Sequence, residues 1–189
     1  LCCVRLIPDV AAATFLMPST LNHRATYVNE RQISDAMIFH WTIAANVSSG
    51  AYESTDAPLV FPRIDFALQY RTVTGWLGFG VAESASGSMA GADVMIGVIS
   101  DVDSNLRVND YHVMEMAMPK LDCGMSAWQP VGWSRNGSWT VIHVSRALAA
   151  QNPDSDRAIL DDGAPTKLIF AHGFSSTLMY HGPQRSVAS

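Results

Sequence analysis

The residues from Gly75 to Ser100 read GWLGFGVAESASGSMAGADVMIGVIS and indicate how the chain folds. Glycines are mixed with large apolar residues in Gly75–Val81, as in a strand that another backbone or a flat ligand approaches closely. Ala92–Ile99 is an almost unbroken apolar run of strand length, which indicates a strand buried on both faces. The loop between them, Glu83–Gly91, is small and polar except for Met89. The stretch therefore predicts two buried strands and a loop that presents a single methionine.

Composition limits the class of protein. The chain has 189 residues, of which 48% are hydrophobic and 15% are charged. This length suits one well-packed domain, and the composition is too apolar for disorder and too interrupted for a membrane span. The net charge is -5, and no Lys/Arg cluster is present to neutralise phosphates. Nucleic acid is therefore not expected as a partner.

Strand-like patterns run along the rest of the chain. Apolar and polar residues alternate in Met37–Ala44 and in Ile64–Arg71, and KLIFAH at Lys167–His172 is a last strong strand. An Asn-Gly turn predicts a hairpin between Gln129–Trp133 and Trp139–Val144. The regular spacing of strands and turns predicts an all-β sandwich.

Three further segments were assigned from propensity and composition. Ser145–Gln151 (SRALAAQ) predicts at most one short helix, or a turn, with Ser145 as a candidate cap. Asn46–Pro58 is predicted to be a loop, and Leu106–Met116 a strand.

Two features favour an extracytoplasmic address. Leu1–Leu16 resembles the trailing part of a secretory signal, although a buried first strand or an arbitrary start of the sequence explains it equally well. Asn46-Val47-Ser48 and Asn136-Gly137-Ser138 fit the glycosylation acceptor pattern. We divide the chain into an N-terminal segment, 1–33, which holds the signal remnant and a first strand, and one domain, 34–186.

Cysteines and catalytic motifs exclude several chemistries. Cys2, Cys3 and Cys123 include no C-x-x-C pair, so neither a zinc site nor a thioredoxin-type motif is indicated. In a secreted protein, one of the first two could bridge to Cys123. Hydrolase, phosphate-loop and helical metal motifs are absent from the sequence. The chain alone is not expected to be catalytic.

Soft ligands are the remaining candidates for chemistry. Met89, Met95, His172 and His181 offer thioether and imidazole groups, the axial pair that holds a six-coordinate haem for electron transfer. Alternation places His172 on the same face of its strand as Leu168 and Phe170. The alternative is that these histidines are core residues and the methionines fill gaps.

A co-linear series of motifs resembles the DOMON domain, the module named for the N-terminal part of dopamine β-monooxygenase. The similarity covers roughly Ala36 to Gln184. The matching motifs, in order, are Gly75-Trp76-Leu77-Gly78-Phe79-Gly80-Val81, Met89-Ala90-Gly91-Ala92-Asp93-Val94-Met95-Ile96-Gly97, Val108-Asn109-Asp110-Tyr111, Pro119 to Asp122, Leu168-Ile169-Phe170-Ala171-His172-Gly173, and Tyr180-His181-Gly182.

The resemblance implies an immunoglobulin-like β-sandwich of roughly ten antiparallel strands, extracellular or lumenal, that binds haem b or a sugar-like ligand. It further implies that Met89 and a late histidine hold the iron. His172 is the best match for that histidine, and His181 remains open. Trp76, Phe79 and Met95 are the other expected cofactor contacts. The implied partner is a transmembrane b-type cytochrome or a copper monooxygenase domain in the same full-length chain. Since related proteins usually continue beyond this point, we expect the sequence to be a fragment.

Monooxygenase-type members imply a second site, which would hold calcium or sodium. Asp93 matches its first ligand, the Tyr111 carbonyl its second, and Asp122 is the available later carboxylate. Oxygen ligands of this kind suit either ion. The alternative for Asp93 is a carboxylate that caps a turn.

Three functions follow from these patterns. The first is a haem-binding electron carrier. The second is a haem-free accessory domain of an ascorbate-dependent copper monooxygenase, built around the Asp93 site. The third is a carbohydrate-binding module, which requires Trp76 and Trp128 to be exposed as stacking platforms.

Overall fold

The chain folds as a two-layer antiparallel β-sandwich, and the all-β prediction is confirmed. A computed structural model describes residues 27–48, 60–71, 75–83, 87–99, 106–122, 127–159, 165–183 and 185–188. The cysteine bridge predicted for Cys2, Cys3 and Cys123 lies outside these ranges. Within them the strands are β1 (Asn29–Ser34), β2 (Met37–Ser48), β3 (Val60–Tyr70), β4 (Trp76–Val81), β5 (Asp93–Ile99), β6 (Leu106–His112), β7 (Lys120–Leu121), β8 (Gln129–Asn136), β9 (Trp139–Ala147), β10 (Leu168–Gly173) and β11 (Arg185–Ala188).

The strands form two sheets that face each other. The five-stranded sheet has the order β1-β2-β3-β9-β8, and the six-stranded sheet has the order β11-β10-β4-β5-β6-β7. The predicted hairpin is β8–β9, and Gly137 at its turn has a φ of 58°, a left-handed conformation that glycine adopts without strain. No described residues form a helix long and apolar enough to cross a membrane.

Aromatic side chains fill the space between the sheets. Phe66 of β3 and Phe79 of β4 lie 4.7 Å apart between ring centroids, and Phe170 of β10 lies 5.3 Å from Phe79. The buried Trp128 packs edge-on against both Phe66 and Phe79. Contacts of this kind add about 0.5–1.5 kcal/mol each beyond burial, so this cluster is the main link between the layers.

The central stretch behaves as its pattern predicts. All residues of β4 are buried, as are all but one of β5, because both faces of these two strands are covered. Leu77, Phe79 and Met95 face the core between the sheets, whereas Val94 and Ile96 belong to a second apolar cluster on the outer side. The six-stranded sheet therefore has two apolar faces.

Three local predictions are wrong. Ser145 does not cap a helix but pairs with Asp65 of β3 and Gln129 of β8, so strand pairing on both sides overrides the helical propensity of SRALAAQ. Strand β2 continues to Ser48, beyond the predicted start of the loop at Asn46, because β3 pairs with it as far as Val60. Strand β6 ends at His112 rather than Met116, since its partner β5 begins opposite His112 at Asp93.

Candidate functional site

A large apolar cavity lies on the outer face of the six-stranded sheet. Its volume is about 680 Å³, within the range of about 300–1,000 Å³ that is usual for small-molecule and cofactor sites. Its floor comes from the outward residues of β10, β4 and β5, where Ala171, Gly78 and Ile96 lie side by side in register. The Gly75 to Ser100 stretch thus supplies much of the floor.

The segments that follow the sheet supply the walls. One wall is the irregular segment 113–119 after β6, and another is the segment 178–181 after β10. The loop before β5 and strand β11 complete the lining. The residues that line the cavity are Trp76, Gly78, Phe79, Gly87, Ser88, Met89, Val94, Ile96, Val113, Met116, Ala117, Met118, Pro119, Ile169, Phe170, Ala171, Leu178, Met179, Tyr180, His181, Arg185, Ser186 and Val187.

Gly78 gives the floor room for a flat ligand. A Cβ atom built there would lie 3.4 Å from the Trp76 ring and 3.6 Å from the Ala171 carbonyl oxygen. These are tolerable contacts, so the fold itself does not require a glycine at this position. A larger side chain would instead project from the floor into the cavity. The glycine therefore leaves space that a planar cofactor can fill.

Met89 is held at the cavity by a tight turn. The Ala92 amide donates to the Met89 carbonyl at 3.1 Å, and Gly91 between them has a φ of 79°, as a type II turn requires. The Gly91 amide also donates to the carbonyl of Val113 at 2.6 Å. These bonds fix the turn to the neighbouring wall at Val113, so the Met89 thioether is presented on a defined backbone.

His181 lines the same cavity as Met89. Its Nδ1 lies 2.9 Å from the Gly182 carbonyl oxygen. Because a carbonyl can only accept, Nδ1 carries the proton and the lone pair of the neutral ring is on Nε2. Histidines that ligate metals commonly donate their other ring N–H to a carbonyl in this way. The ring is therefore in the tautomer that an Nε2 ligand needs.

His172 does not line this cavity. It lies on the inner face of β10, where its Nδ1 is hydrogen-bonded to the Tyr70 hydroxyl at 2.6 Å, and it lines a separate cavity of about 250 Å³. Burial lowers the pKa of His172, and the nearby His181 lowers it further. Burial also raises the pKa of Tyr70. Met89 and His181 thus line one cavity, whereas His172 contacts Tyr70 and lines another.

The other expected cofactor contacts divide between the two faces of the sheet. Trp76 lines the cavity on the outer face, whereas the Phe79 ring packs against Phe66 and Phe170 in the core between the sheets and only borders the cavity. The Trp76 indole lies directly against Gly173, because a Cβ atom on Gly173 would be only 2.2 Å from the Trp76 Nε1. Met95 is fully buried in the core between the sheets and does not line the cavity. Trp76 and Trp128 are 5% and 1% exposed, so neither can serve as the surface platform that the carbohydrate hypothesis requires.

Asp93 is the centre of a buried polar network between the sheets. Its Oδ1 accepts from the Trp128 indole at 3.0 Å, and its Oδ2 accepts from the Arg146 guanidinium at 2.6 Å and the Arg157 amide at 3.0 Å. The Arg146 guanidinium also lies 4.3 Å from the centre of the Trp128 ring. Asp93 is on β5 and Arg146 on β9, so this ion pair joins the two layers.

More carboxylates surround this ion pair. Carboxylate oxygens of Asp93, Asp110 and Asp156 all lie within 4.8 Å of one another. Burial and the nearby Asp93, Asp156 and Asp122 raise the pKa of Asp110 to about 7, although the hydrogen bond from the Ala127 amide opposes the shift. The buried Asp156 accepts from the amides of Gln151 and Asn152. The cluster therefore contains more acidic groups than basic ones.

The expected calcium or sodium ligands are only partly assembled. Asp93 is in the cluster, and Asp122 adjoins it because the Ser155 hydroxyl donates to the Asp122 carboxylate and contacts Asp156. The Tyr111 side chain packs in the outer apolar cluster, and the role of its backbone carbonyl, the predicted ligand, stays a prediction. Asp93 already accepts three hydrogen bonds, and the Arg146 guanidinium supplies a positive charge at the place where a cation would lie. These contacts fit a structural ion-pair network better than a cation site.

The family of the chain follows from a sequence comparison. The DOMON domain family matches residues 61–173, which is more than half of the chain. The chain belongs to the DOMON domain family. The match contains β4, β5 and most of the cavity floor.

Two solved structures share the DOMON sandwich of this chain. The cytochrome domain of Myriococcum thermophilum cellobiose dehydrogenase has a TM-score of 0.58 at 14% identity, with 80% of this chain and 73% of that chain covered. The cytochrome b domain of pyranose dehydrogenase from Coprinopsis cinerea has a TM-score of 0.54 at 13% identity, with 80% and 74% covered. At these identities the likeness shows the fold.

Sequence reasoning missed several residues of these DOMON sites. Met116, Met118 and Met179 line the cavity, and the alternation of methionines in the sequence MEMAMP was a signal for them. Arg146 was missed because its segment was assigned to a helix. It follows Ile142 and Val144 at alternate, inward-facing positions of β9, a pattern that would have indicated a buried charge.

Proposed function

We propose that this DOMON domain binds haem b, with Met89 and His181 as the axial ligands, and carries single electrons. The observation that carries the proposal is that a thioether and a correctly oriented imidazole line the same apolar cavity. The cavity is large enough for a cofactor, and Gly78 keeps its floor flat. The choice of His181 over His172 rests on the cavities that they line: His181 lines the large cavity together with Met89, whereas His172 lines the smaller one.

The chain supports this function by positioning and by excluding water. The turn at Met89–Ala92 holds the thioether, and the Gly182 carbonyl orients the His181 ring. Apolar residues of the floor, such as Ile96 and Ile169, keep water from the bound face. The bound haem would supply a one-electron iron couple, and methionine with histidine as axial ligands raises its reduction potential.

The comparisons support a redox partner. Both similar structures are described as cytochrome domains of dehydrogenases. Exposed apolar side chains on this chain are concentrated near the mouth of the cavity, at Met116, Met118, Met179, Tyr180 and Val187. Such patches mark interaction surfaces. We propose that a partner redox domain exchanges electrons with the haem at this apolar patch. A transmembrane b-type cytochrome and a copper monooxygenase domain remain the predicted candidates for that partner. The predicted address of the chain is extracellular or lumenal.

Titration of the purified chain with hemin tests the proposal. The wild type should bind one haem per chain and show a low-spin, six-coordinate spectrum that ascorbate reduces by one electron. Met89→Leu keeps the volume of the side chain but removes the sulfur, so its spectrum should become high-spin. Met114→Leu is the matched control, because Met114 is exposed but does not line the cavity.

Two results would reject this function. A chain that takes up no hemin does not contain the site. A Met89→Leu spectrum identical to that of the wild type would show that the iron has other ligands.

The haem-free accessory domain remains a second candidate because of the acidic cluster around Asp110. Calcium or sodium bound there should stabilise the fold by mass action. Since the Arg146 guanidinium already compensates Asp93, we expect millimolar calcium to leave the thermal midpoint unchanged. A rise of several degrees that Asp110→Asn abolishes would favour the accessory-domain candidate instead.

A further inference from the structure

Three exposed methionines surround the mouth of the cavity, and we call them the methionine rim: Met116, Met118 and Met179. Their side chains are 71%, 56% and 61% exposed, and all three also line the cavity. Methionine is usually buried, where its flexible side chain fills gaps in the core. Thioethers that are open to solvent can be reached by soluble oxidants, and oxidation converts their apolar side chain into a polar one.

We propose that the methionine rim is a site of reversible oxidation by hydrogen peroxide, and that its oxidation weakens haem binding. This inference rests on the proposed haem function. In the reaction, a sulfur lone pair attacks one peroxide oxygen, the O–O bond breaks and an S–O bond forms. The sulfur is oxidised by two electrons, the peroxide is reduced by two, and one water leaves, so thioether and peroxide give sulfoxide and water.

Exposure directs the oxidation to the rim. Met37 and Met95 are 2% and 0% exposed in the core between the sheets, so peroxide reaches them only when the fold opens. Met114 is 63% exposed and is oxidised as well, but it does not line the cavity. Its sulfur lies 3.5 Å from the Lys120 ammonium instead. Met114 therefore separates the effect of oxidation itself from the effect of oxidation at the cavity.

A sulfoxide at the rim changes the cavity in a way that disfavours haem. The sulfoxide is polar and strongly hydrated, whereas the thioether it replaces is apolar. The floor that faces the rim consists of Gly78, Ile96 and Ala171, whose side chains offer no hydrogen bond. Haem that covers the rim would remove water from the sulfoxide oxygen without replacing its hydrogen bonds. Each such loss is expected to weaken binding by about tenfold or more.

The test compares hemin affinity before and after peroxide in three proteins: the wild type, Met114→Leu, and the triple variant M116L/M118L/M179L. Each apo-protein is treated with peroxide, the peroxide is removed with catalase, and peptide mass mapping locates the sulfoxides. Leucine keeps an apolar side chain of similar size but cannot be oxidised. Each protein is compared with its own untreated form, so that effects of substitution on haem binding cancel.

We expect peroxide to raise the hemin dissociation constant at least about tenfold in the wild type and in Met114→Leu, and less than about threefold in the triple variant. Methionine sulfoxide reductases should restore the wild-type affinity. An equal loss in the triple variant would place the effect at Met89 or elsewhere and overturn the proposal. Unchanged affinity in a wild type whose rim carries sulfoxides, or a loss that the reductases do not reverse, would overturn it as well.

The same titrations separate this proposal from the haem function itself. If the untreated wild type binds no hemin, the proposed function has failed and the inference fails with it. If the untreated wild type binds hemin and the treated protein binds it equally well, only the inference has failed.

Discussion

Asp110→Asn should stabilise the fold at neutral pH, although it removes a charged residue from the core. Asp110 is 3% exposed, and its Oδ2 accepts from the Ala127 amide at 2.9 Å. Burial and the nearby Asp93, Asp156 and Asp122 raise its pKa to about 7. Asparagine has nearly the same shape and keeps an oxygen that can accept from Ala127, but it carries no charge.

The size of the effect follows from the pKa. An exposed aspartate has a pKa of 3.8, whereas that of Asp110 in the fold is about 7. Since each pKa unit corresponds to about 1.4 kcal/mol, ionising Asp110 costs the fold up to about 4 kcal/mol. The expected effect is therefore on the order of a few kcal/mol.

The sign of the pH dependence follows from proton binding. The folded chain holds the Asp110 proton more tightly than the unfolded chain does, so the contribution of this group is most favourable below about pH 4. It is lost progressively as the pH rises from about 4 to about 7, and it stays lost above that. Asparagine does not titrate. The advantage of Asp110→Asn over the wild type should therefore be near zero at pH 4 and reach a few kcal/mol at pH 8.

Urea unfolding, followed by tryptophan fluorescence at pH 4.5, 6 and 8, measures this difference. Asp154→Asn is the control, because Asp154 is exposed and belongs to the irregular segment that also holds Asp156. A loss of more than about 1 kcal/mol in Asp110→Asn at pH 8 would contradict this prediction, since losses of that size are typical of a broken interaction. A difference between variant and wild type that does not change with pH would refute it equally.

Two further substitutions test the core network and the cavity. Arg146→Met should lower the free energy of unfolding, measured in urea, by about 3–5 kcal/mol because it leaves the buried Asp93 without its counter-charge. A decrease below about 1 kcal/mol would show that the ion pair does not join the sheets. Gly78→Ala should leave the urea midpoint almost unchanged, because a Cβ meets nothing closer than 3.4 Å. The substitution should weaken hemin binding at least about tenfold because it fills the floor of the cavity, and extra methyl groups in a packed site cost about 1–3 kcal/mol. Undiminished hemin binding would show that the ligand binds elsewhere.

The strands could be predicted because their signals are local. Alternation identified β2, β3 and β10, and the apolar run in Gly75 to Ser100 identified β4 and β5. The same apolar run concealed which face of the six-stranded sheet carries the cavity. Both faces of β4 and β5 are covered, so no period of two separates the core side of Met95 from the cavity side of Ile96.

The choice of histidine could not be made from sequence for a related reason. Alternation correctly placed His172 on the face of Phe170, but it did not show that this face is the core between the sheets. The cavity is on the side of Ile169 and Ala171. His181 lies beyond the strand in a segment without periodicity, so only the three-dimensional fold brings it to the cavity that Met89 also lines.

The acidic cluster depended on contacts that are distant in sequence. Asp93 could be singled out from its motif, but Arg146 and Asp156 are 53 and 63 residues away. Arg146 reaches Asp93 only because SRALAAQ continues β9 rather than forming a helix. Pairing with β3 and β8 decided that outcome, and local propensity does not contain this information.

The most direct test of the account is the visible and near-infrared spectrum of hemin-reconstituted His181→Ala beside that of His172→Ala. We predict that His172→Ala keeps a low-spin spectrum with a methionine–iron charge-transfer band, since His172 contacts Tyr70 on the opposite face of β10. His181→Ala should lose both features. A low-spin spectrum that survives in His181→Ala and disappears in His172→Ala would contradict the assignment of the cavity as the haem site.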